Sequence, residues 1–184
     1  MSNGTSWLPN EPEATGSGNY FRIKDIDGYP DKTAELRVLC PFIGGWEAWD
    51  VNTKPHRFAT KDDVAASGIK LREEPGKKNP KQFWATFVWN PKAGAVQVFS
   101  FTQVTLFKQL DALVRNKKWG ALDAYDISIT KSGTGTDTEY TVMPSGKEPL
   151  SPEALAAWSK VAEEAVGLEV LYQNGNPLEL IGGR

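Results

Sequence analysis

The chain has 184 residues, of which 40% are hydrophobic and 24% are charged, and 21 Lys and Arg against 23 Asp and Glu give a formal net charge of −2. The length suits one domain with extensions, since domains of about 100–150 residues are the most common. A single Cys and a single His exclude a disulfide framework and a structural zinc site, which needs four such ligands. We therefore expect no metal and no cofactor, and the seven Trp residues stand out instead.

The hydrophobic pattern predicts short β-strands interrupted by a few helices. Strands are expected at residues 20–26, 34–43, 46–51, 82–90, 95–102, 125–131 and 139–143. Helices are expected at residues 61–66, 104–116 and 152–166, the last after Ser151 as N-cap. Gly44-Gly45 allows a tight reversal or a bulge, which predicts a hairpin of the second and third strands. The turn residues at 90–94 predict another hairpin between the next two strands. Most of residues 52–80 is expected to form a long loop.

This order of elements predicts a mainly β fold. Short strands with one helix inserted before the last pair, and a further helix at the C-terminal end, suggest an OB-fold-like Greek-key barrel. An SH3-like barrel or an open sandwich is also compatible with the pattern. The expected parts are a flexible N-terminal arm at 1–19, the OB-fold domain at 20–145 and a C-terminal helix and tail at 146–184.

Charge is distributed unevenly over these parts. Residues 21–145 carry 18 Lys and Arg against 15 Asp and Glu, a net charge of +3, while residues 146–184 carry 3 against 6. Basic side chains are concentrated between residues 70 and 81 and again at Arg115, Lys117 and Lys118. Lysine and arginine contacts to phosphates supply affinity for nucleic acid that is independent of sequence.

Aromatic and basic residues are interleaved in the central domain, the combination that binds single-stranded nucleic acid. Exposed rings stack on bases, and the neighbouring cations contact phosphates. The candidate DNA-binding residues are Trp46, Trp49, Lys54, Arg57, Phe58, Lys77, Lys78, Lys81, Trp84 and Trp89. A protein-interaction or structural module with exposed Trp residues would have the same composition, as would an RNA- or carbohydrate-binding OB barrel.

No catalytic constellation is recognisable in the sequence. It contains neither a Walker-type phosphate loop nor a Gly-x-Ser-x-Gly nucleophile turn. Cys40 belongs to an inward-facing run and His56 to a surface segment, so we expect no enzyme. No apolar run approaches the roughly 20 residues that span a bilayer, and the first residues lack a signal-peptide pattern. The expectation is a cytoplasmic protein without a membrane partner.

Several motifs follow one another in the second half of the central domain. In chain order they are Phe83-Trp-Ala-Thr-Phe-Val-Trp-Asn90, Val96-Gln-Val-Phe-Ser-Phe-Thr-Gln103, Trp119-Gly120, Tyr125-Asp126-Ile127 and Gly133-Thr-Gly-Thr-Asp-Thr-Glu-Tyr140. Taken together they resemble the tailed-bacteriophage single-stranded DNA-binding proteins of OB-fold type, over about residues 35–145. The resemblance implies a non-enzymatic protein that protects single-stranded DNA in phage replication and recombination, in the cytoplasm of the infected bacterial host.

Two departures from that family affect the expected partners. Some relatives carry a Cys-rich zinc-binding insertion where this chain has the Cys-free residues 59–80. Many relatives end in a strongly acidic tail that recruits partners, whereas residues 146–184 are only moderately acidic. The helix predicted at 152–166 is therefore the candidate docking element for replication or recombination proteins.

Overall fold

The computed structural model describes residues 18–181. The strands in this range are β1 (Tyr20–Phe21), β2 (Thr33–Val38), β3 (Ile43–Trp49), β4 (Pro55–Phe58), β5 (Lys81–Asn90), β6 (Ala95–Phe101), β7 (Tyr125–Ser132) and β8 (Glu139–Lys147). The α-helices are α1 (Lys61–Ala66), α2 (Val104–Arg115) and α3 (Pro152–Glu164). Short 3-10 helices lie at Ile23–Gly28, Pro30–Lys32, Leu122–Ala124, Gly135–Asp137 and Leu168–Gln173. The fold is mainly β, as predicted.

The strands form one mixed sheet in the order β1-β6-β5-β2-β7-β8. β2 pairs with the C-terminal half of β5, and β3 pairs with its N-terminal half, so β2 and β3 act as one long bent strand. If they are counted together as the first barrel strand, β5, β6 and β7 are the second, third and fourth. β7 returns after α2 to lie beside β2, which is Greek-key connectivity and the arrangement of an OB-fold.

The barrel is open at one seam. Within residues 18–181, β1 and β8 stand at the two ends of the strand order and do not pair with each other. α2 packs against the edge of β8 instead, where the Gln109 amide nitrogen donates to the carbonyl oxygen of Tyr140 at 2.7 Å. The Gln109 amide oxygen accepts from the backbone N–H of Val142 at 2.9 Å. One side chain therefore bonds two edge groups that an adjoining strand would otherwise satisfy.

The inside of the barrel is an apolar core closed by α2. Leu106 and Leu110 are four residues apart on α2 and both point into this core. There they meet Phe99 of β6 and Ile127 of β7, and all four side chains are buried. Burial of this stripe fixes the rotation of α2 and leaves its opposite face in solvent.

The outer face of β5 and β6 is covered by residues 150–178, here named the C-terminal segment. Leu168 and Leu171 are buried against this face together with Phe87 of β5. The Trp158 ring of α3 lies 5.8 Å from the Phe87 ring, centroid to centroid. The segment predicted as a C-terminal helix and tail is thus packed onto the barrel.

In the first half of the chain, one predicted strand and one predicted reversal are wrong. The expected strand at 20–26 is only the two-residue β1, followed by a 3-10 helix that buries Ile26. Gly44 and Gly45 do not reverse the chain but lie inside β3. A Cβ at Gly45 would stand 2.9 Å from the rings of Phe83 and Tyr172, so close packing requires that glycine. The reversal comes after Trp49 and leads into β4, within the predicted loop.

The strand predicted at 34–43 ends early, since β2 stops at Val38 and β3 begins at Ile43. The predicted helices and strands from residue 61 onward match the structure in type and place. The β5–β6 and β7–β8 hairpins, α1, α2 and α3 are confirmed, and Ser151 caps α3 by accepting from the N–H of Ala154 at 3.2 Å. Of the arm predicted at 1–19, residues 1–17 lie outside the described residues. Gly18 and Asn19 accept hydrogen bonds from β6. No helix within residues 18–181 has the length and apolarity to cross a membrane.

Candidate nucleic-acid interface

The chain entering β5 carries a dense group of basic side chains. Residues 70–81, here named the lysine loop, contain five basic and two acidic side chains, a net charge of +3. The basic side chains are Lys70, Arg72, Lys77, Lys78 and Lys81. The loop lies in the connection between the first and second barrel strands, which is one of the loops that contact oligonucleotides in OB-folds.

Asn79 attaches the lysine loop to β3. Its amide nitrogen donates to the carbonyl oxygens of Trp49 at 2.7 Å and Arg72 at 2.8 Å. Its amide oxygen accepts from the backbone N–H of Trp49 at 2.9 Å. The Arg72 N–H also donates to the Trp49 carbonyl oxygen at 2.9 Å. The Asn79 side chain therefore holds Trp49 and the lysine loop in one arrangement.

Two adjoining grooves share the end of the lysine loop. The residues common to both are Lys77, Lys78, Lys81 and Thr102. The first groove has a volume of about 460 Å³ and is also lined by Trp49 and Arg72. The second has a volume of about 480 Å³ and is also lined by Trp46 and Val104. Each groove thus combines one tryptophan with the same three lysines.

The two tryptophans lie on opposite faces of β3, as their spacing of three residues predicts. Trp49 is 37% exposed, and its indole N–H donates to the Glu47 carboxylate at 3.1 Å. Trp46 is half-buried, and the Lys61 ammonium lies 5.4 Å from the centroid of its ring. Neither ring is buried in a core, so each keeps exposed surface in its groove.

Glu74 partly neutralises the lysine loop. Its carboxylate forms ion pairs with both Lys77 and Arg72. The hydrogen bond from Lys77 is the largest cause that lowers the pKa of Glu74, and the positive charge of Arg72 adds to it. Lys78 and Lys81 have no carboxylate partner among residues 18–181, so their charges face the grooves uncompensated.

Lys54 lies in the turn between β3 and β4, beside the first groove. Asp50 holds this turn by accepting from the backbone N–H groups of Asn52 at 2.8 Å and Lys54 at 2.9 Å. The second carboxylate oxygen of Asp50 lies 2.9 Å from His56 Nε2. These contacts lower the pKa of Asp50, and the hydrogen bond with His56 is the largest cause. Thr53 of the same turn lines the first groove, so Lys54 borders that groove without lining it.

Arg57 and Phe58 of β4 do not line either groove. The Arg57 guanidinium pairs with Glu47 at 3.1 Å and lies 5.5 Å from the ring centroid of buried Phe83. Its side chain is 21% exposed, and its buried Nε has no hydrogen-bond partner. Phe58 is half-buried opposite Trp46. Both residues belong to β4, which pairs with the edge of β3 opposite β5.

Trp84 and Trp89 are packed against protein, contrary to the expectation that they present free faces to DNA. Trp89 is 6% exposed and belongs to the core beneath the C-terminal segment. Trp84 is half-buried and stacks on Phe107 of α2, with ring centroids 4.2 Å apart and planes inclined by 15°. Burial leaves no ring face of Trp89 for a base, and Phe107 occupies one face of Trp84. We therefore remove both from the interface.

The start of α2 also belongs to the candidate interface, and it was not predicted from the sequence. Val104 is 51% exposed and lines the second groove, with Thr102 just before it. An exposed valine at the first position of an amphipathic helix was the only available signal, and single exposed apolar residues are common on protein surfaces.

The described residues offer no alternative site built on a metal. Within residues 18–181, no three His, Cys, Asp or Glu side chains cluster in a way that could hold a metal ion. Comparison of the chain with protein-family models, with curated proteins and with solved structures finds no match. The geometry of the two grooves is therefore the basis for assigning a function.

Proposed function

We propose that the protein binds single-stranded DNA without sequence specificity, at the two grooves along the lysine loop. The observation that carries this proposal is the placement of Trp46 and Trp49 around the same three lysines. Base–aromatic stacking contributes about 1–3 kcal/mol per base and tolerates any base. Lysine ammonium groups bind phosphates equally without regard to sequence.

The rings favour a single strand over a duplex. Bases in a duplex are already stacked on their neighbours, so a ring gains a stacking partner only where bases are unpaired and splayed. The position of the lysine loop in the fold supports the same function, because OB-folds bind oligonucleotides with this connection.

The motif resemblance supports a biological role for this binding. It suggests a non-enzymatic protein that protects single-stranded DNA during phage replication and recombination, in the cytoplasm of the infected host. A docking role of α3 for replication or recombination proteins is part of the proposal, and the 53% exposed Leu155 on that helix supports it.

A fluorescence titration tests the proposal. Oligo-dT should quench tryptophan emission, because Trp46 and Trp49 would stack on thymine, and the affinity should fall as the salt concentration rises. A hairpin duplex and an oligo-rU strand of equal length, titrated at the same two salt concentrations, are the comparison ligands. Absence of both quenching and a gel shift at low salt would refute DNA binding.

A triple variant locates the binding to the lysine loop. Lys77→Gln, Lys78→Gln and Lys81→Gln together should reduce the slope of log affinity against log salt by about 2, since each lost phosphate contact with a single strand removes about 0.7. The matched control replaces three exposed lysines outside the grooves, Lys24, Lys32 and Lys160, with Gln. An equal change of slope in both variants would place the contacts elsewhere.

The same titration separates the alternatives. Tighter binding of oligo-rU than of oligo-dT would make the protein an RNA-binding OB barrel. The protein would be an interaction module if it responded to no nucleic acid and associated with a protein partner equally well at both salt concentrations.

A further inference from the structure

We propose that a bound single strand continues from the second groove along the exposed face of α2, to a second contact at Arg115, Lys117, Lys118 and Trp119. This inference rests on the proposed function and extends it. It concerns the second basic cluster of the sequence, which the two grooves do not include.

The second groove leads directly onto α2. Val104 lines the second groove together with the three lysines of the lysine loop, and it is also the first residue of α2. A strand lying in this groove therefore already touches the start of the helix.

The basic side chains of α2 lie along one exposed side of the helix. At 100° per residue, Lys108 and Arg115 lie within about 40° of Val104 around the helix axis, and they form one stripe. Leu106 and Leu110 are buried on the opposite side, which fixes this stripe in solvent. Lys108 is exposed and the Arg115 side chain is 78% exposed. The stripe is about 17 Å long at a rise of 1.5 Å per residue.

The far end of the stripe combines basic side chains with an aromatic ring. After α2 ends, the chain turns back on Asn116, whose side-chain oxygen accepts from the N–H of Lys118 at 2.8 Å. The Lys118 ammonium lies 5.1 Å from the centroid of the half-buried Trp119 ring. Trp119 is held from behind by Tyr125, at a centroid distance of 5.4 Å. This end therefore repeats the pairing of an indole with lysine charges that defines the grooves.

α2 and the residues that follow it carry a net positive charge. Residues 104–119 carry four basic side chains and one acid, Asp111, whose carboxylate lies 2.8 Å from Arg115 Nε. Their net charge of +3 equals that of the lysine loop. Basic residues in a last helical turn also complement the helix dipole. The helix dipole therefore explains the position of Arg115. It does not explain Lys108, which lies in the middle of the helix, or Lys118, whose ammonium lies over the Trp119 indole.

Oligonucleotide length provides the test. Binding of oligo-dT of about 4 and about 16 nucleotides, the limits of site size for one OB-fold, is measured against salt for the wild type and for the combined variant Lys108→Gln, Lys117→Gln, Lys118→Gln. The variant should reduce the salt slope for the long oligonucleotide by about 2 and leave the slope for the short one unchanged. Arg115 is kept because of its ion pair with Asp111.

Each outcome of this experiment has one interpretation. The Lys24, Lys32 and Lys160 triple variant should leave both slopes unchanged, and circular dichroism should show that all variants are folded. Equal slopes of the α2 variant and the wild type with the long oligonucleotide overturn the inference but leave the proposed function standing. An equal loss at both lengths also overturns it, because the primary site would then be on α2. Failure of the wild type to bind either length refutes the proposed function itself.

Discussion

Two regions of the sheet carry tryptophans, and they differ in what lies over them. On the outer face of β5 and β6, Trp89 is buried under the C-terminal segment, with Leu168 and Leu171 packed in the same core. At the edge formed by β3 and the lysine loop, Trp46 and Trp49 keep exposed surface beside lysines. The residue type is the same, and the covering chain decides whether a ring stabilises the fold or is open to a ligand.

β5 carries aromatic residues on both faces because both of its faces are covered. Trp84 contributes to the inner core beside α2, and Phe83, Phe87 and Trp89 contribute to the outer core. A barrel strand with one solvated face needs aromatic residues on only one side. Here both faces of the strand are covered, so its alternating rings are structural. The stacking role that we propose therefore falls to the rings of β3.

Replacement of Trp89 should have the largest effect, which is a loss of stability. Trp89→Ala leaves a cavity between β5 and the C-terminal segment and should lower the free energy of unfolding by about 3–5 kcal/mol. Urea denaturation followed by circular dichroism measures this loss. At a temperature where the variant is folded, its affinity for oligo-dT should equal that of the wild type. A variant that is as stable as the wild type but binds poorly would reverse our assignment of the two regions.

Replacement of Trp49 should affect DNA binding instead of stability. Trp49→Ala removes a stacking ring and should weaken oligo-dT binding by about 1–3 kcal/mol, or roughly 5- to 150-fold, because one base loses its partner. Fluorescence anisotropy of labelled oligo-dT measures the affinity. Trp49→Phe keeps an aromatic face and should recover much of the binding. If alanine and phenylalanine behave alike, the ring does not stack on a base.

The sequence predicts this fold best where the signals are local. The β5–β6 hairpin follows from alternating side chains around a Pro- and Gly-containing turn, and α2 follows from leucines at helical spacing. The reversal predicted at Gly44-Gly45 is wrong because glycine occurs not only in turns but also where neighbouring atoms leave no room for a side chain. Gly45 is approached by Phe83 and Tyr172, and Tyr172 is distant in the chain.

The candidate site was predicted only in part for the same reason. The lysines of the lysine loop and the tryptophans of β3 could be named from composition, since charged loops are exposed and clusters are visible in the sequence. The burial of Trp89 depends on the C-terminal segment, which follows it by more than 60 residues, and local alternation contains no information about that contact. Asn79 is identified only when its bonds to Trp49 and Arg72 are seen.

Loss of the Asn79 amide should have an effect of intermediate size on the region formed by β3 and the lysine loop. Asn79→Ala removes the hydrogen bonds that hold Trp49 to the lysine loop and should cost about 1–2 kcal/mol of unfolding free energy. It should also weaken oligo-dT binding about threefold, because the ring and the lysines must then be ordered on binding. Hydrogen exchange of the Trp49 and Arg72 amides should speed up in the variant. Unchanged exchange at both amides would show that other contacts hold the loop.

The smallest effect should come from Glu74, and it should strengthen binding. Glu74→Gln releases Lys77 and Arg72 from their ion pairs and should raise the affinity for oligo-dT about two- to threefold at low salt. The pKa of Glu74 is lowered from its ordinary value of 4.5, so the carboxylate is charged at neutral pH. Its ion pairs are present above that ordinary value and are lost as the pH falls through the lower value of the folded protein. The advantage of the variant should therefore be complete at a pH of about 7 and vanish in acid, where the wild-type carboxyl is itself protonated.

Glu73→Gln is the matched control for this small effect. It removes the same charge from the same loop, but Glu73 is exposed and has no ion pair among residues 18–181. If the ion pairs withhold Lys77 and Arg72 from phosphates, Glu74→Gln should raise the affinity more than Glu73→Gln does. Equal gains in the two variants would show that only the net charge of the loop matters. The edge formed by β3 and the lysine loop would then act as a diffuse positive field. It would not act through the two separate grooves that distinguish it from the covered face of β5 and β6.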